Sequence, residues 1–225
     1  MRKKELEIPS IKTMSLFRHS IIHWFDINGR NYEWRRTKDP FRVLIAEIML
    51  RRTKADQVRE VYKNLFEKYP HACDLARAND DELQQIIYPL GLHWRNPVFK
   101  DIARIISDNY KGRVPSTRGE LTALPGVGDY VAGAVLSIAF MQKEWVADIN
   151  IVRVFKRYFG VNTIKEGRRD RHIIAMAKIY GSARNPKKAN LAILDFAALV
   201  CTARNPRHDQ CPLVLKCFYI RNSYQ

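Results

Sequence analysis

The chain has 225 residues, enough to bury a full hydrophobic core as one large or two small domains. It carries 39 Lys and Arg against 23 Asp and Glu, and this net charge of +16 is spread over the whole length, which argues for a polyanionic partner. There is no apolar run of membrane-spanning length and no apolar segment near the first residue, so we expect no membrane span, no secretory signal and a cytoplasmic location.

Helical periodicity dominates the chain. Strict alternation of apolar and polar residues persists almost nowhere, whereas apolar residues recur repeatedly at helical spacing. The pattern therefore predicts an all-α fold built from many short helices. We expect these helices at 14–25, 40–52, 54–69, 72–78, 80–89, 97–111, 117–123, 128–141, 149–159, 168–181 and 186–200.

A predicted helix after Asp39 contains an acidic residue in an apolar setting. Asp39 is a favourable N-cap and Pro40 fits the first helical turn. Glu47 lies within the apolar run 43–50. Burial disfavours the charged form of a carboxyl group, which suits a general acid that protonates a leaving group. A glutamate that is satisfied by partners in the core would give the same pattern.

The segment Leu124-Pro125-Gly126-Val127-Gly128 separates two predicted helices. Glycine reaches positive φ without a steric penalty, so two glycines around one apolar residue allow a tight hairpin, with Val127 packed on the core. The amides of Gly126, Gly128 and Asp129 would then lie at a helix N-terminus without internal partners. Such amides form a phosphate site.

Asp148 precedes the predicted helix 149–159. Aspartate is a preferred N-cap, and a carboxylate held at a helix N-terminus stays ionised because the amides and the helix dipole favour its charge. An ionised carboxylate at this place can stabilise positive charge that develops on a sugar, or align a water for attack. Asp148 can therefore cap the helix and act on the sugar at the same time.

Together, the glycine hairpin and the aspartate that follows it resemble the helix-hairpin-helix glycosylases of the endonuclease III superfamily, over nearly the whole chain. The resemblance implies two helical lobes, 33–145 and 1–32 plus 146–225, with the active site in the cleft between them. Asp148, followed by the same Asp-x-Asn-x-x-Arg pattern, stands where the family has its essential aspartate.

Two further positions indicate which kind of glycosylase the chain resembles. Glu47 stands in the AExML context of the adenine and thymine mismatch glycosylases, where it would assist acid–base chemistry. In bifunctional members a lysine stands at the position of Tyr130 and attacks the sugar, so tyrosine here implies a monofunctional enzyme. The tyrosine at this position is similar to that of the archaeal thymine-DNA mismatch glycosylases, whereas adenine glycosylases more often have serine there. A tyrosine that only packs between helices would give the same sequence.

DNA contacts are implied at three places. Arg51 or Arg52 would lie at the minor groove and fill the gap left by an extruded base, although cations are also common at helix C-termini. Leu92 and His93 stand where the family has a wedge loop that inserts between base steps, although a helix end followed by buried residues would look alike. The hairpin supplies the phosphate contacts: Gly126, Val127, Gly128 and Asp129.

The last motif is a group of three cysteines near the end of the chain. It indicates a site for a metal ion or an iron–sulfur cluster in a reducing compartment. Cys201, Cys211 and Cys217 match the first, third and fourth of the four cysteines that hold a [4Fe–4S] cluster in the family, and His208 takes the second place. A Cys3His set also suits structural zinc, and a degraded site without metal is the third alternative.

The resemblance therefore implies an enzyme that flips thymine, or uracil, out of a mispair with guanine in double-stranded DNA and hydrolyses its glycosidic bond. We expect it to act as a monomer at the nucleoid. One alternative is adenine excision opposite guanine or 8-oxoguanine, which the family performs with an additional C-terminal domain. Another is a non-catalytic helix-hairpin-helix DNA-binding protein, which the presence of both Glu47 and Asp148 disfavours.

Overall fold

The computed structural model describes residues 8–91, 96–163 and 167–223, with the backbone alone at positions 96 and 223. Over these residues the fold is all-helical, as predicted. Short 3-10 turns occur at Tyr88–Leu90, His208–Gln210 and Val214–Lys216. The α-helices are α1 (Ile11–Asn28), α2 (Glu33–Arg36), α3 (Pro40–Met49), α4 (Ala55–Lys68), α5 (Ala72–Ala76), α6 (Asp80–Ile87), α7 (Asn96–Asn109), α8 (Arg118–Ala123), α9 (Asp129–Ile138), α10 (Ile149–Phe159), α11 (Arg171–Gly181), α12 (Pro186–Leu199) and α13 (Phe218–Ser223).

The observed helices differ from the predicted ones mainly at their ends and in the shortest elements. The first helix begins at Ile11 rather than at 14, because the Ser10 hydroxyl accepts a hydrogen bond from the Thr13 amide and caps it. The helices α2 and α13 were not predicted, since four and six residues are too few to show helical periodicity.

Two compact units make up the fold. The described residues of Asn31–Phe140 form one, here the middle unit. Those of Met1–Arg30 and Met141–Gln225 form the other, here the terminal unit. The sequence prediction divides the chain after residues 32 and 145, whereas in the structure the chain passes from one unit to the other after residues 30 and 140.

Helix α3 forms the centre of the middle unit. Eight of its ten residues are buried, and it packs against α9, whose residues 131–138 are all buried. A helix that is apolar on nearly every side can be stable only inside a core. Residues 43–49 of α3 are all buried, so Glu47 is removed from water in the interior of the unit.

The terminal unit is built on α1, α10, α11 and α12, which pack against one another. The buried ring of Phe17 on α1 contacts aromatic rings of α10 and α11. An extended stretch leads into α10, and two contacts fix it. The Asn190 side-chain amide donates to the carbonyl oxygen of Glu144 over 2.9 Å. Gly181 approaches the same carbonyl so closely that a Cβ would lie 2.5 Å from the oxygen. The entry to α10 is therefore held by a side-chain hydrogen bond and by a close backbone approach that leaves no room for a side chain at Gly181.

A buried ion pair between Arg30 and Asp195 stabilises this unit. The Asp195 carboxylate is 0% exposed and accepts from the Arg30 amide (2.7 Å), Nε (2.8 Å) and Nη2 (2.6 Å). We expect Arg30→Met to lower the free energy of unfolding by about 3 kcal/mol, because it removes the charged partner of a fully buried carboxylate. Chemical denaturation measures this loss.

The matched control for Arg30→Met is Lys188→Met, which breaks the more exposed pair with Asp26 in the same unit. Its side chains are 36% and 47% exposed, so we expect a loss under about 0.5 kcal/mol. Equal losses in the two variants would show that burial does not govern the strength of the Arg30 pair.

Candidate active site

Asp148 is the N-cap of α10, as predicted, and both of its carboxylate oxygens are fixed. Oδ1 accepts from the amides of Asn150 (2.9 Å) and Ile151 (2.7 Å). Oδ2 accepts from the Asn150 side-chain amide over 2.7 Å. A carboxylate can accept about four hydrogen bonds, so this half-buried group keeps capacity for a water or a sugar.

The hydrogen bonds continue from Asp148 towards the cysteine loop. The side-chain oxygen of Asn150 accepts from Arg153 Nη1 over 2.8 Å. Arg153 also donates from Nε to the Cys201 carbonyl (2.9 Å) and from Nη2 to the Ala197 carbonyl (2.8 Å). One continuous set of bonds therefore joins the carboxylate to the start of the cysteine loop. The Asp-x-Asn-x-x-Arg spacing was visible in the sequence, but the partners of the arginine were not.

Glu47 and Tyr130 both belong to the middle unit, on helices that pack against each other. Glu47 is 4% exposed on α3, which confirms its predicted burial. Tyr130 is half-buried in the first turn of α9. Its phenol offers no amine to attack a sugar carbon. Asp148 belongs to the terminal unit, so the residues predicted for catalysis come from both units.

The glycine hairpin has the predicted form at one glycine and not at the other. Gly126 has φ +72°, and Val127 is 7% exposed, packed on the core as expected. Gly128 is extended, with φ −107°, so of the two glycines only Gly126 adopts the positive φ that glycine allows. A Cβ at Gly128 would meet no atom within 4 Å. Glycine at this place instead leaves open the space in front of the first amides of α9, where a phosphate would approach.

Two arginines brace the hairpin from other helices. Arg51, just past the end of α3, donates from Nη1 to the Gly126 carbonyl over 2.8 Å. Arg118 at the start of α8 donates from Nη1 to the Asp129 carbonyl (2.8 Å) and to its carboxylate (3.4 Å). These three bonds use oxygen atoms of the hairpin as acceptors, so the two arginines do not occupy the amides predicted to bind phosphate. Sequence reasoning missed Arg118, which looks like any other cation at a helix start.

Arg52 differs from its neighbour. Both arginines are exposed, but Arg52 has φ +62°, a backbone conformation that residues other than glycine adopt at a cost. Strained residues of this kind cluster at functional sites. Since Arg51 is bound to the hairpin, Arg52 is the better candidate for the predicted minor-groove contact.

The two glycines of the hairpin make a matched pair of substitutions. Gly126→Ala should lower the free energy of unfolding by about 1–3 kcal/mol, because it forces an alanine into positive φ with its Cβ 3.0 Å from Val98 Cγ1. Gly128→Ala should leave stability unchanged and weaken DNA binding about tenfold, since its methyl group would stand where the phosphate approaches. Thermal unfolding and fluorescence anisotropy with duplex DNA measure the two effects. A Gly128→Ala protein that binds DNA like the wild type would contradict this assignment of the phosphate site.

The predicted wedge residues Leu92 and His93 lie outside the described residues. The segment that precedes them is anchored to the middle unit. The Thr53 hydroxyl donates to the Leu90 carbonyl over 3.0 Å, and the Gln57 side-chain amide donates to the Pro89 carbonyl.

The cysteine loop brings three thiols near one another. Burial, the largest cause, and the neighbouring Cys217 and Cys201 raise the pKa of the Cys211 thiol to about 11, against a lowering by a backbone hydrogen bond from Leu213. Arg157 Nη1 lies 3.6 Å from Cys201 Sγ. His208 begins a 3-10 turn on the same loop, with its ring centroid 6.3 Å from that of Tyr219. The thiols and the adjacent cation fit an anionic thiolate-bound group.

Among the residues with described side chains, no three His, Cys, Asp or Glu are arranged to hold a single metal ion. The fourth cysteine, Cys73, belongs to the middle unit. A lone cysteine on a short helix is most simply expected to be a small buried residue, and this expectation is wrong because Cys73 is exposed. Among the residues that the structure describes, no helix is both long and apolar enough to cross a membrane.

Taken together, the hairpin, the capped aspartate and the all-helical fold define a helix-hairpin-helix protein that can bind DNA phosphates. Residues 45–176 match the HhH-GPD superfamily of base excision DNA repair proteins. The chain therefore belongs to this superfamily. Residues 201–214 match the iron–sulfur binding domain of endonuclease III.

Known proteins with similar sequences or structures are DNA glycosylases. The thymine/uracil-DNA glycosylase of Methanothermobacter thermautotrophicus is 34% identical over 209 residues, which are 92% of this chain and 95% of that protein. The adenine DNA glycosylase of Buchnera aphidicola subsp. Schizaphis graminum is 29% identical over 91% of this chain and 60% of its own length. The solved structure of a thermostable thymine-DNA glycosylase superposes with a TM-score of 0.87, at 33% identity, over 93% of this chain and 97% of that one.

Proposed function

We propose that the chain is a monofunctional DNA glycosylase that removes thymine and uracil mispaired with guanine. The fixed carboxylate of Asp148 is the observation that carries this proposal. The sequence and structural similarity to thymine-DNA glycosylases supports it, as does the tyrosine at position 130. We further propose that it acts as a monomer, on chromosomal DNA in the cytoplasm.

Asp148 would stabilise the reaction at the sugar. Cleavage of the glycosidic bond builds positive charge on the sugar ring, and a carboxylate already held in position stabilises that charge without reorganisation. Its remaining acceptor site can also align the water that completes hydrolysis. Because both oxygens are hydrogen-bonded to Asn150 and Ile151, the carboxylate does not need to be ordered when the substrate binds.

Glu47 and Tyr130 would act on the base. The substrate base must leave the helical stack, and a mispaired base costs least to extrude. Glu47, removed from water on α3, would assist proton transfer to the departing base. Tyr130 would shape the pocket for the base. Arg52 would fill the gap left in the duplex, and the Gly128–Asp129 turn would hold a phosphate.

We propose that Cys201, His208, Cys211 and Cys217 hold a [4Fe–4S] cluster. Such a cluster would supply a rigid cross-link rather than a chemical step in hydrolysis. Arg157 and Arg153 bind the carbonyls of residues 201–203 and would keep the loop in register with α10.

Single-turnover incubation with four duplexes tests the proposal. They carry T·G, U·G, A·G and A·8-oxoguanine pairs, and half of each sample is treated with alkali. We expect strand breaks from T·G and U·G only after alkali, since a monofunctional enzyme leaves the abasic strand intact. Breaks without alkali would show lyase activity. Product mainly from the adenine duplexes would instead favour the alternative function of adenine excision. Tight binding without any product would favour the non-catalytic alternative.

A further inference from the structure

The terminal unit contains a pocket of about 580 Å³ that the proposed function does not use. It lies between α10, residues 160–163 and α13. Its apolar lining comes from Ile149, Val152, Val161, Phe218 and Tyr219. Three of these large side chains are exposed, Ile149 by 61%, Phe218 by 49% and Tyr219 by 41%. Exposed apolar groups gathered around one concave site indicate a ligand.

Both aromatic rings of the pocket are held in place by contacts with neighbouring residues. The Phe218 ring packs on Gly160, where an added Cβ would lie 2.7 Å from the ring carbons. The Arg157 guanidinium carbon lies 5.1 Å from the centre of the Tyr219 ring. Rings that are ordered in advance and still partly exposed can stack on a planar ligand with little loss of conformational entropy.

The charged groups of the pocket are all cationic. Among its described lining residues are Arg153, Lys156 and Arg157, and none is acidic. The two arginines donate to carbonyl oxygens of the cysteine loop, whereas Lys156 is exposed on the last turn of α10. A ligand that combines an anionic group with a flat apolar ring matches this lining.

We propose that this pocket binds one unstacked nucleotide of single-stranded DNA. Its base would stack on Phe218 and Tyr219, and its phosphate would contact Lys156. Aromatic rings beside a cationic groove are the usual means of binding single strands without sequence preference. Ile149 directly follows Asp148, so one lining residue of the pocket is next in the chain to the proposed catalytic aspartate. This inference goes beyond the proposed function, which concerns double-stranded DNA.

Photo-crosslinking with the full chain tests this proposal. The probe is a labelled single strand of about eight deoxycytidines with one 5-iodocytosine. It contains no thymine or uracil, so the proposed excision cannot interfere. Two variants alter the pocket, Lys156→Glu by charge and Asn222→Trp by filling it. Lys178→Glu is the matched control, an exposed lysine on α11 outside the pocket.

We expect cross-links at Phe218 or Tyr219, and about tenfold weaker binding by fluorescence anisotropy in both pocket variants. Lys178→Glu should change binding by no more than about twofold, since it removes only diffuse attraction. Equal weakening in the two charge reversals, with cross-links elsewhere, would overturn the proposal. So would an acidic aromatic peptide that binds more tightly than the strand and is lost in the same variants. Cross-links at α13 in a protein without T·G activity would uphold the pocket and reject the proposed glycosylase.

Discussion

Replacing Asp148 by asparagine should reduce the single-turnover rate on T·G duplexes about 10³-fold or more. Asparagine is as good an N-cap as aspartate, so the amides of Asn150 and Ile151 keep an acceptor. The variant loses the negative charge that would stabilise the sugar. We expect stability to fall by about 1 kcal/mol, because two side-chain amides would then face each other where Oδ2 now accepts from Asn150. Excision kinetics, duplex binding and thermal unfolding measure the three effects.

Asp170 provides a matched control for this substitution. It caps α11 in the same unit, with Oδ1 accepting from the amides of His172 (2.8 Å) and Ile173 (3.4 Å). Asp170→Asn makes the same chemical change at a helix start to which no catalytic role is assigned, so its excision rate should stay near that of the wild type. If the two variants lost activity equally, the loss would not be specific to the carboxylate of Asp148.

The second large effect is expected from Arg153→Met. This change removes the donors to Asn150, Ala197 and Cys201, and each acceptor left without a partner costs about 1 kcal/mol or more. We expect a loss of about 3 kcal/mol in the free energy of unfolding. Asn150 would also be free to turn away from Asp148. Since small displacements of a catalytic group cost about 10²-fold in rate, excision by the folded protein should slow by about this amount.

Arg18→Met is the control that distinguishes the loss of stability in Arg153→Met from the loss of excision rate. Arg18 lies in the same unit and donates from Nη1 to the carbonyls of Ile179 (3.0 Å) and Tyr180 (2.9 Å), with no bond towards Asp148. It should lose comparable stability while the rate per folded molecule is kept. Active-site titration with a tight-binding duplex gives the folded fraction in each sample. A rate unchanged in both variants would show that the bonds from Arg153 do not position the carboxylate.

Features set by neighbouring residues could be predicted from the sequence. The caps at Asp39 and Asp148 were recognised because an N-cap needs only the residue itself and amides two or three positions on. The burial of Glu47 followed from its apolar neighbours. The helix α13 was missed, because its six residues do not show a period and the loop before it carries the cysteines.

Features set by distant residues could not be predicted. Arg51 and Gly126 are 75 positions apart, and nothing in either segment indicates their hydrogen bond. The resemblance to known glycosylases supplied roles for residues but not these contacts, so Arg51 and Arg52 could not be distinguished. The pocket beside α13 depends on the packing of three separate segments, and its chemistry became visible only when they were brought together.

The left-handed backbone of Arg52 has a consequence for how this protein can be improved. Glycine at that position would relieve the unfavourable φ and should make the folded protein more stable, by up to about 1 kcal/mol. The same change would remove the side chain that is proposed to occupy the emptied place in the duplex. A selection for heat resistance alone would therefore favour the loss of this arginine, and a selection for repair would favour its retention. At this position thermostability and activity are expected to be opposing objectives for an engineer.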